Sequence, residues 1–192
     1  MNKYNSNFFT LLFAILLLNA CKKDEHFTTA VDLEPLAYFP DSAICTATKQ
    51  VPGLGSIAWK ATGSALLISP ENTFAVRAST YEDTVNWHLR ESMGIYEIPA
   101  KKGRYVIEEV EKNNIYSAYT RFVSDGDVVN ALWEIDPDKD NFVEVVALDE
   151  NTQTLQVRFD VHYMMRLQGS FGRVHSERIN FKNGNLTVKY SK

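Results

Sequence analysis

Three aspartates at alternate positions have the spacing that comes nearest to a metal site. Asp136, Asp138 and Asp140 lie in a predicted loop, and carboxylates at this spacing converge on a Ca²⁺ ion when such a loop curls. A complete calcium loop needs a bidentate glutamate at its twelfth position, where Ala147 stands. Aspartates are also common in plain turns, because their side chains hydrogen-bond the local backbone. The pattern therefore favours a solvated turn and predicts no metal or other cofactor, with calcium as the weaker alternative.

The other reactive residue types do not have catalytic spacing. The sequence has neither a Gly-x-Ser-x-Gly elbow nor a His-x-x-x-His pair. Glu108, Glu109 and Glu111 are interpreted as a solvated strand end rather than as part of a glycosidase carboxylate pair. We therefore predict that the protein is not an enzyme. The alternative is a hydrolase of surface polymers, in which Glu109 or Asp160 would meet a histidine or a second carboxylate.

Composition favours a single globular domain that does not bind nucleic acid. The chain has 192 residues, 45% hydrophobic and 23% charged, with a net charge of −4. Acidic and basic residues are interspersed, whereas nucleic-acid-binding proteins cluster lysine and arginine. Nine tyrosines, eleven phenylalanines and three tryptophans are many for this length. Most of these rings are expected in the core, and a few on one sheet face would stack against a sugar or another protein.

The N-terminus has the pattern of a secretory signal. The apolar run 8–18 is interrupted only by Thr10, follows Lys3 and ends shortly before Ala20 and Cys21. A run of this length is too short to span a membrane, which takes about 20 residues. The pattern therefore predicts a signal peptide.

Two adjacent tetrapeptides carry a family resemblance. Leu18-Asn19-Ala20-Cys21 resembles the lipobox of bacterial lipoproteins, and Lys22-Lys23-Asp24-Glu25 resembles the export signal of surface-exposed lipoproteins of the Bacteroidota. The resemblance implies a lipid with acyl chains such as palmitate on Cys21, and attachment to the outer membrane facing outward. It divides the chain into a signal peptide (1–20), a flexible tether (21–34) and one β-rich domain (35–192). The alternative is an ordinary signal peptide cut nearby, with Cys21 free or paired with Cys45.

Lipidation of Cys21 would leave Cys45 without a disulfide partner. Free cysteines are among the most buried residues in proteins, so Cys45 is predicted to be a buried thiol.

Two short patterns resemble the O-glycosylation signal of exported Bacteroidota proteins. They are Asp41-Ser42-Ala43 and Asp83-Thr84-Val85. Ser42 is the candidate, because it is expected to lie outside the sheets.

Alternating apolar residues predict an all-β domain. The first clear strand is 56–60, and the clearest is 155–163, where Leu, Val, Phe, Val and Tyr alternate with polar residues. Asn183-Gly184 predicts a type I′ hairpin turn near the C-terminus. With turn signals every eight to twelve residues, the sequence predicts about nine or ten strands in an antiparallel sandwich or barrel.

The segment 80–94 is ambiguous. A stripe of Tyr81, Val85, Leu89 and Met93 favours a short helix near 80–93. The alternative is a strand in which Val85, Trp87 and Leu89 face inward, while Asn86, His88 and Arg90 face outward.

The order of structural motifs over residues 55–192 carries a second resemblance. Trp59, Ile98-Pro99, Lys102-Gly103 and Asn183-Gly184 follow one another as in a group of small uncharacterised β-rich lipoproteins of the Bacteroidota. That group supplies no catalytic residues. The expected function is a non-catalytic binding or accessory module at the cell surface, with a glycan or an envelope protein as partner. Alternatives are a small-ligand- or lipid-binding barrel with one large apolar cavity, and the hydrolase.

Overall fold

The computed structural model describes residues 44–82, 86–110, 114–123, 126–169 and 175–192, and these form ten β-strands without an α-helix. The strands are β1 (Ile44–Val51), β2 (Gly55–Ile68), β3 (Thr73–Tyr81), β4 (Leu89–Pro99), β5 (Gly103–Val106), β6 (Tyr116–Val123), β7 (Val128–Ile135), β8 (Phe142–Asp149), β9 (Thr154–Gln168) and β10 (Arg178–Ser191). The predicted all-β class and strand number are confirmed. No helix long and apolar enough to cross a membrane occurs among the residues described.

Eight of the strands close into a barrel, so the barrel is the correct one of the two predicted architectures. The ring runs β1–β2–β3–β4–β6–β7–β9–β10 and returns to β1, which pairs with both β2 and β10. All pairings between these strands are antiparallel except a two-residue parallel contact of Tyr190 and Ser191 with β2. The first and last strands of the domain therefore lie side by side.

The strands β8 and β5 extend the barrel wall. The N-terminal half of β9 pairs with β8, and its C-terminal half pairs with β7. β5 pairs only with β8 and forms the edge of the sheet. Because β9 changes its partner from β8 to β7 partway along its length, the barrel wall has a gap beside β5.

The two ends of the barrel carry different connections. We call the end with the β1–β2, β3–β4, β6–β7 and β9–β10 connections the upper end. The lower end carries the β2–β3, β4–β5, β7–β8 and β8–β9 connections.

Aromatic side chains fill the barrel interior. Tyr119 lies at its centre, with ring centroids of Trp133, Tyr163 and Phe181 at 5.1, 5.9 and 5.1 Å. Trp59 packs on Phe181 at 4.8 Å. On β9 the five predicted inward residues are all buried, so the predicted alternation is confirmed. They are Leu155, Val157, Phe159, Val161 and Tyr163.

Strand β1 was not predicted. Cys45, Ala47, Lys49 and Val51 are its inward, buried residues. A lysine at the third of these positions breaks the apolar alternation, and the remaining inward residues are small. The strand is therefore defined by its pairing with β2 and β10 rather than by its own sequence.

The predicted helix near 80–93 is wrong. β3 continues to Tyr81 and β4 begins at Leu89, and these two residues pair. The alternative prediction, a strand with Trp87 facing inward and Arg90 facing outward, is also wrong, because Trp87 is exposed and Arg90 is buried. Tertiary pairing on both sides of β3 and β4 overrides the helical stripe. Residues 83–85 lie outside the described part of the chain.

The predicted hairpin turn at Asn183-Gly184 is also wrong, because both residues lie within the continuous strand β10. They form a β-bulge, in which three steps on β10 from Phe181 to Gly184 match two steps on β9. Asn183 has a φ of 53° and donates its backbone N–H to Asp160 Oδ1 at 2.7 Å. A Cβ on Gly184 would come within 2.4 Å of the Phe159 ring. Glycine here permits close packing rather than a turn.

Candidate functional site

A cluster of charged side chains lies inside the upper half of the barrel. Lys49 Nζ is 2.9 Å from Glu91 Oε1, and Arg121 Nη1 is 3.3 Å from the same oxygen. Trp59 Nε1 donates to Glu91 Oε2 at 2.8 Å, and Lys49 also donates to the Tyr119 hydroxyl at 2.8 Å. Strands β1, β2, β4 and β6 each contribute one or two of these groups.

The surroundings of Glu91 hold its carboxylate in the charged form. Burial alone would raise its pKa, but the charges of Lys49 and Arg121 and hydrogen bonds from Trp59 and Lys49 lower the pKa to about 2. Both carboxylate oxygens accept hydrogen bonds, and the residue is 2% exposed. The carboxylate is therefore neither reachable from solvent nor readily protonated.

A surface cleft of ≈590 Å³ lies where the barrel wall splits. β4 pairs with β6 only as far as Tyr96, opposite Tyr116, and then continues to Pro99 with β3 as its one partner. Across the gap, β5 presents its unpaired edge. The cleft is lined by Thr73, Glu97, Pro99, Arg104, Tyr105, Val106, Glu108, Asn114 and Ile115.

Polar side chains of this cleft are held in place by neighbours. Thr73 Oγ1 donates to Glu97 Oε2 at 3.2 Å, and Asn114 Nδ2 donates to Glu108 Oε2. Tyr105 donates its hydroxyl proton to the Lys101 carbonyl at 2.8 Å. Glu97 has a φ of 60°, an uncommon conformation for a residue other than glycine. The carboxylates of Glu97 and Glu108 are thus each held by a neighbouring side chain.

A second cleft of ≈400 Å³ lies on the outer face of β8, β9 and β10. Its lining residues are Phe142, Glu144, Arg158, Phe159, Asp160, Asn183, Gly184 and Asn185. The guanidinium of Arg104, from the first cleft, stacks on Phe142 with Cζ 3.6 Å from the ring centroid. The two clefts therefore adjoin across the Arg104–Phe142 pair, and we call them together the cleft face.

The three aspartates of the predicted loop are not brought together. Asp136 is buried and lies 3.6 Å from Arg178 Nε, while Asp140 is exposed and lies 3.4 Å from Arg104. Asp138 contributes its backbone N–H to Asp136 Oδ1 at 3.2 Å. Within the described ranges, no group of three or more histidine, cysteine, aspartate or glutamate residues has the geometry of a metal site.

Asp160 and His162 lie near one another on the outer face of β9. The pKa of His162 is lowered, first by burial and then by the charge of Lys182, although Asp160 opposes the shift. Asp160 accepts the Asn183 N–H through Oδ1, and its Oδ2 is 3.5 Å from Lys182 Nζ. Both oxygens of Asp160 thus have partners, which is a poor arrangement for a general base.

Two of the remaining predicted site residues, Cys45 and Glu109, lie in the described part of the chain. Cys45 is fully buried, as predicted, and burial raises the pKa of its thiol to about 12. Cys21, Ser42, Thr84 and Glu111 lie outside the described residues. Glu109 is exposed and lines another pocket of ≈370 Å³, together with the carboxylates of Glu108 and Glu134.

Neither the charged cluster nor most of the cleft face is predicted from the sequence. Lys49 was detectable in principle, because a lysine at an inward position of an alternating segment needs a buried partner. Its partner Glu91 lies in segment 80–93, which the sequence predicts to be a helix. Glu97 and Arg104 have no sequence signal of their own, because the split in the wall depends on how β9 divides its pairing.

Comparison with protein-family models, with curated proteins and with solved structures finds no match for this chain. The geometry of the cleft face and of the barrel interior is therefore the basis for a functional proposal.

Proposed function

We propose that this protein is a non-catalytic binding module of the bacterial cell envelope, held at the outer membrane by a lipid on Cys21, which binds a glycan along the cleft face. The observation that carries the proposal is the pair of adjoining clefts lined by carboxylate, guanidinium and amide side chains. The anchor rests on the lipobox pattern.

The barrel interior favours an outer binding site over an internal one. Rings of Trp59, Tyr119, Trp133, Tyr163 and Phe181 are at most 1% exposed and contact one another. A lipid-binding barrel would instead need an apolar cavity inside the wall.

The side chains of the cleft face suit a glycan. Sugar hydroxyls both donate and accept hydrogen bonds, and Glu97, Arg104, Asn114 and Arg158 supply both kinds of partner. Tyr105 in the first cleft adds an apolar ring surface. Because Thr73 and Asn114 already hold the carboxylates of Glu97 and Glu108, ordering these two side chains costs little entropy on binding.

A surface-polymer hydrolase is the second candidate, and one observation favours it. Glu97 and Glu108 line the same cleft, and glycosidases use two carboxyl groups that flank the bond to be cleaved. Product formation distinguishes the two functions. If a bound glycan is cleaved, and both Glu97→Gln and Glu108→Gln abolish cleavage, the hydrolase is correct and the binding module is not.

A glycan array with the full mature chain carrying Cys21→Ser tests the proposal without the lipid. We expect binding to at least one glycan class, and at least tenfold weaker binding after Arg104→Ala or Arg158→Ala. The matched control is Arg77→Ala, because Arg77 is exposed on β3 and lines neither cleft. A flat response to every glycan contradicts the glycan ligand.

The anchor has its own test. The mass of the N-terminal peptide of the native mature protein should include a lipid on Cys21. An unmodified thiol at that residue contradicts the anchor and leaves the glycan proposal standing.

A further inference from the structure

We propose that the cleft face binds an uncharged β-1,4-linked glycan whose extended chain runs at right angles to the strands, with one sugar on each strand; this inference rests on the proposed glycan binding. The observation that carries it is a row of polar side chains across four neighbouring strands, β5, β8, β9 and β10.

The row consists of outward-facing residues at matching register positions. Arg104 on β5 pairs with Glu144 on β8, and Glu144 pairs with Arg158 on β9. Arg158 in turn pairs with Asn185 on β10. Glu144 is half-buried and the other three residues are exposed. Because Arg104 lines the first cleft and the other three line the second, the row joins the two clefts.

The spacing of the row matches the repeat of an extended glycan. Adjacent strands lie about 4.8 Å apart, so the four side chains span roughly 14 Å. A sugar in an extended β-1,4-linked chain advances by nearly the same length as one strand spacing. A peptide strand places successive side chains of one face roughly 7 Å apart, so it would lose register with the row after one step. The row therefore fits a glycan better than an extended peptide.

Hydrogen-bond donors and acceptors alternate along the row. The guanidinium groups of Arg104 and Arg158 only donate hydrogen bonds, the carboxylate of Glu144 only accepts them, and the amide of Asn185 does both. Sugar hydroxyl groups also do both, so each sugar of the chain has a partner on its strand. The guanidinium of Arg104 is held in place, since it stacks on Phe142 with Cζ 3.6 Å from the ring centroid.

The charges of the cleft face favour an uncharged chain. Glu144 lies between the two arginines of the row, and Asp140 Oδ2 lies 3.4 Å from Arg104 Nη2. Beside the row, Asp160 Oδ2 lies 3.5 Å from Lys182 Nζ. A chain with a carboxylate on every sugar would place like charges against Glu144, and a chain of amino sugars would place like charges against the arginines. Both cost free energy, so the alternation of sign selects against charged glycans.

Isothermal titration calorimetry of the mature chain carrying Cys21→Ser tests the inference. The probes are β-1,4-linked gluco-, manno-, xylo- and N-acetylglucosamine oligosaccharides of two to six sugars. We expect at least one series to bind about tenfold more tightly as the chain grows from two sugars to four. Because the row then ends, the gain from five sugars to six should be less than twofold.

Acidic oligosaccharides of the same linkage test the preference for an uncharged chain. Oligoglucuronate and oligomannuronate carry a carboxylate on every sugar. At equal length, both should bind at least tenfold more weakly than the uncharged series that binds.

Asn185→Ala tests the end of the row. It should reduce the gain between two and four sugars at least threefold, because the last sugar loses its partner, and change the affinity for the disaccharide by less than twofold. The matched control is Thr187→Ala, since Thr187 is exposed on the same strand and lines neither cleft. An Asn185→Ala variant that keeps the full gain, or that binds all lengths equally more weakly, contradicts the row.

The same measurements separate failure of the inference from failure of the proposed function. Equal affinities for two and six sugars, or acidic chains that bind as tightly as uncharged ones, would overturn the inference and leave glycan binding intact. Binding on the array only to glycans of other linkages would do the same. A flat response to every glycan would overturn both.

Discussion

Glu91 is the residue on which the charged interior of the barrel depends. Its single negative charge is shared between the two buried cations Lys49 and Arg121. A buried charge that loses its partner is strongly destabilising. We therefore expect Glu91→Gln to lower the free energy of unfolding by about 3–5 kcal/mol, measured by urea denaturation. The control is Glu134→Gln, which removes a surface pair with Arg166 and should cost less than about 1 kcal/mol.

The same carboxylate predicts how stability changes with pH. Its folded-state pKa of about 2 is below the ordinary value of 4.5, so the unfolded chain binds more protons than the folded chain between these values. The stabilisation is fully present above about pH 4.5 and decreases as the pH falls towards 2. A Glu91→Gln variant should lose less stability over this interval than the native protein. Equal losses in both proteins would show that other carboxylates govern acid unfolding.

Cys45 is expected to be chemically inert in the folded protein. Burial removes it from solvent and raises the pKa of its thiol to about 12, and the thiolate is the reactive form. A disulfide reagent at pH 8 should label no thiol in the native mature protein and one thiol after denaturation. A second labelled thiol would identify Cys21 as unmodified, and labelling of native Cys45 would contradict its burial.

The connection between β7 and β8 is held by the side chain of Asn141. Its amide donates to the carbonyls of Asp136 and Lys139 at 2.8 and 3.0 Å, and its oxygen accepts the His162 N–H at 2.6 Å. These hydrogen bonds hold the aspartate-rich turn in place. They also link the turn to β9.

Asn141→Ala should therefore lower the free energy of unfolding by about 2–3 kcal/mol, because buried backbone groups lose their partners. Asp138→Ala is the control in the same turn. The Asp138 side chain is exposed, so its removal should change stability by no more than about 0.5 kcal/mol. Equal effects of the two substitutions would contradict the role of Asn141.

Strands were predictable where one face is uniformly apolar, as in β9. They were not predictable where the inward face combines polar and apolar residues. β1 was missed because Lys49 interrupts its apolar side, although the lysine is neutralised by Glu91 from another strand. Asn183-Gly184 carries a strong turn signal, yet the pairing of β10 with β1 and β9 converts it into a bulge. In both cases, the deciding interactions come from strands distant in sequence.

The cleft face was beyond prediction for a related reason. Its carboxylates and arginines are ordinary surface residues in sequence, and they become neighbours only because β5 leaves β4 and pairs with β8. The three aspartates show the opposite case. The spacing of Asp136, Asp138 and Asp140 is recognisable in the sequence, but the folded chain does not bring them together in one site.

At the scale of the whole molecule, the junction between β10 and β2 completes the ring at the lower end. Tyr190 is buried there, pairs with Ala65 and packs against Phe74 with ring centroids 4.9 Å apart. We expect Tyr190→Ala to cost about 3–5 kcal/mol in urea denaturation, because a large buried ring is lost at the point of closure. Lys189→Ala, at the exposed neighbouring position, should cost no more than about 0.5 kcal/mol.

The position of β1 between β2 and β10 has a consequence for how the protein folds. Cys45 pairs with Leu186, so contacts that close the ring join residues separated by almost the entire domain. High contact order of this kind slows folding, because the loop-closure entropy is lost before the contacts form. The ring also cannot close until β10 has emerged. A chain exported across a membrane, as its N-terminal pattern predicts, would therefore stay open during transit and fold only after release on the far side.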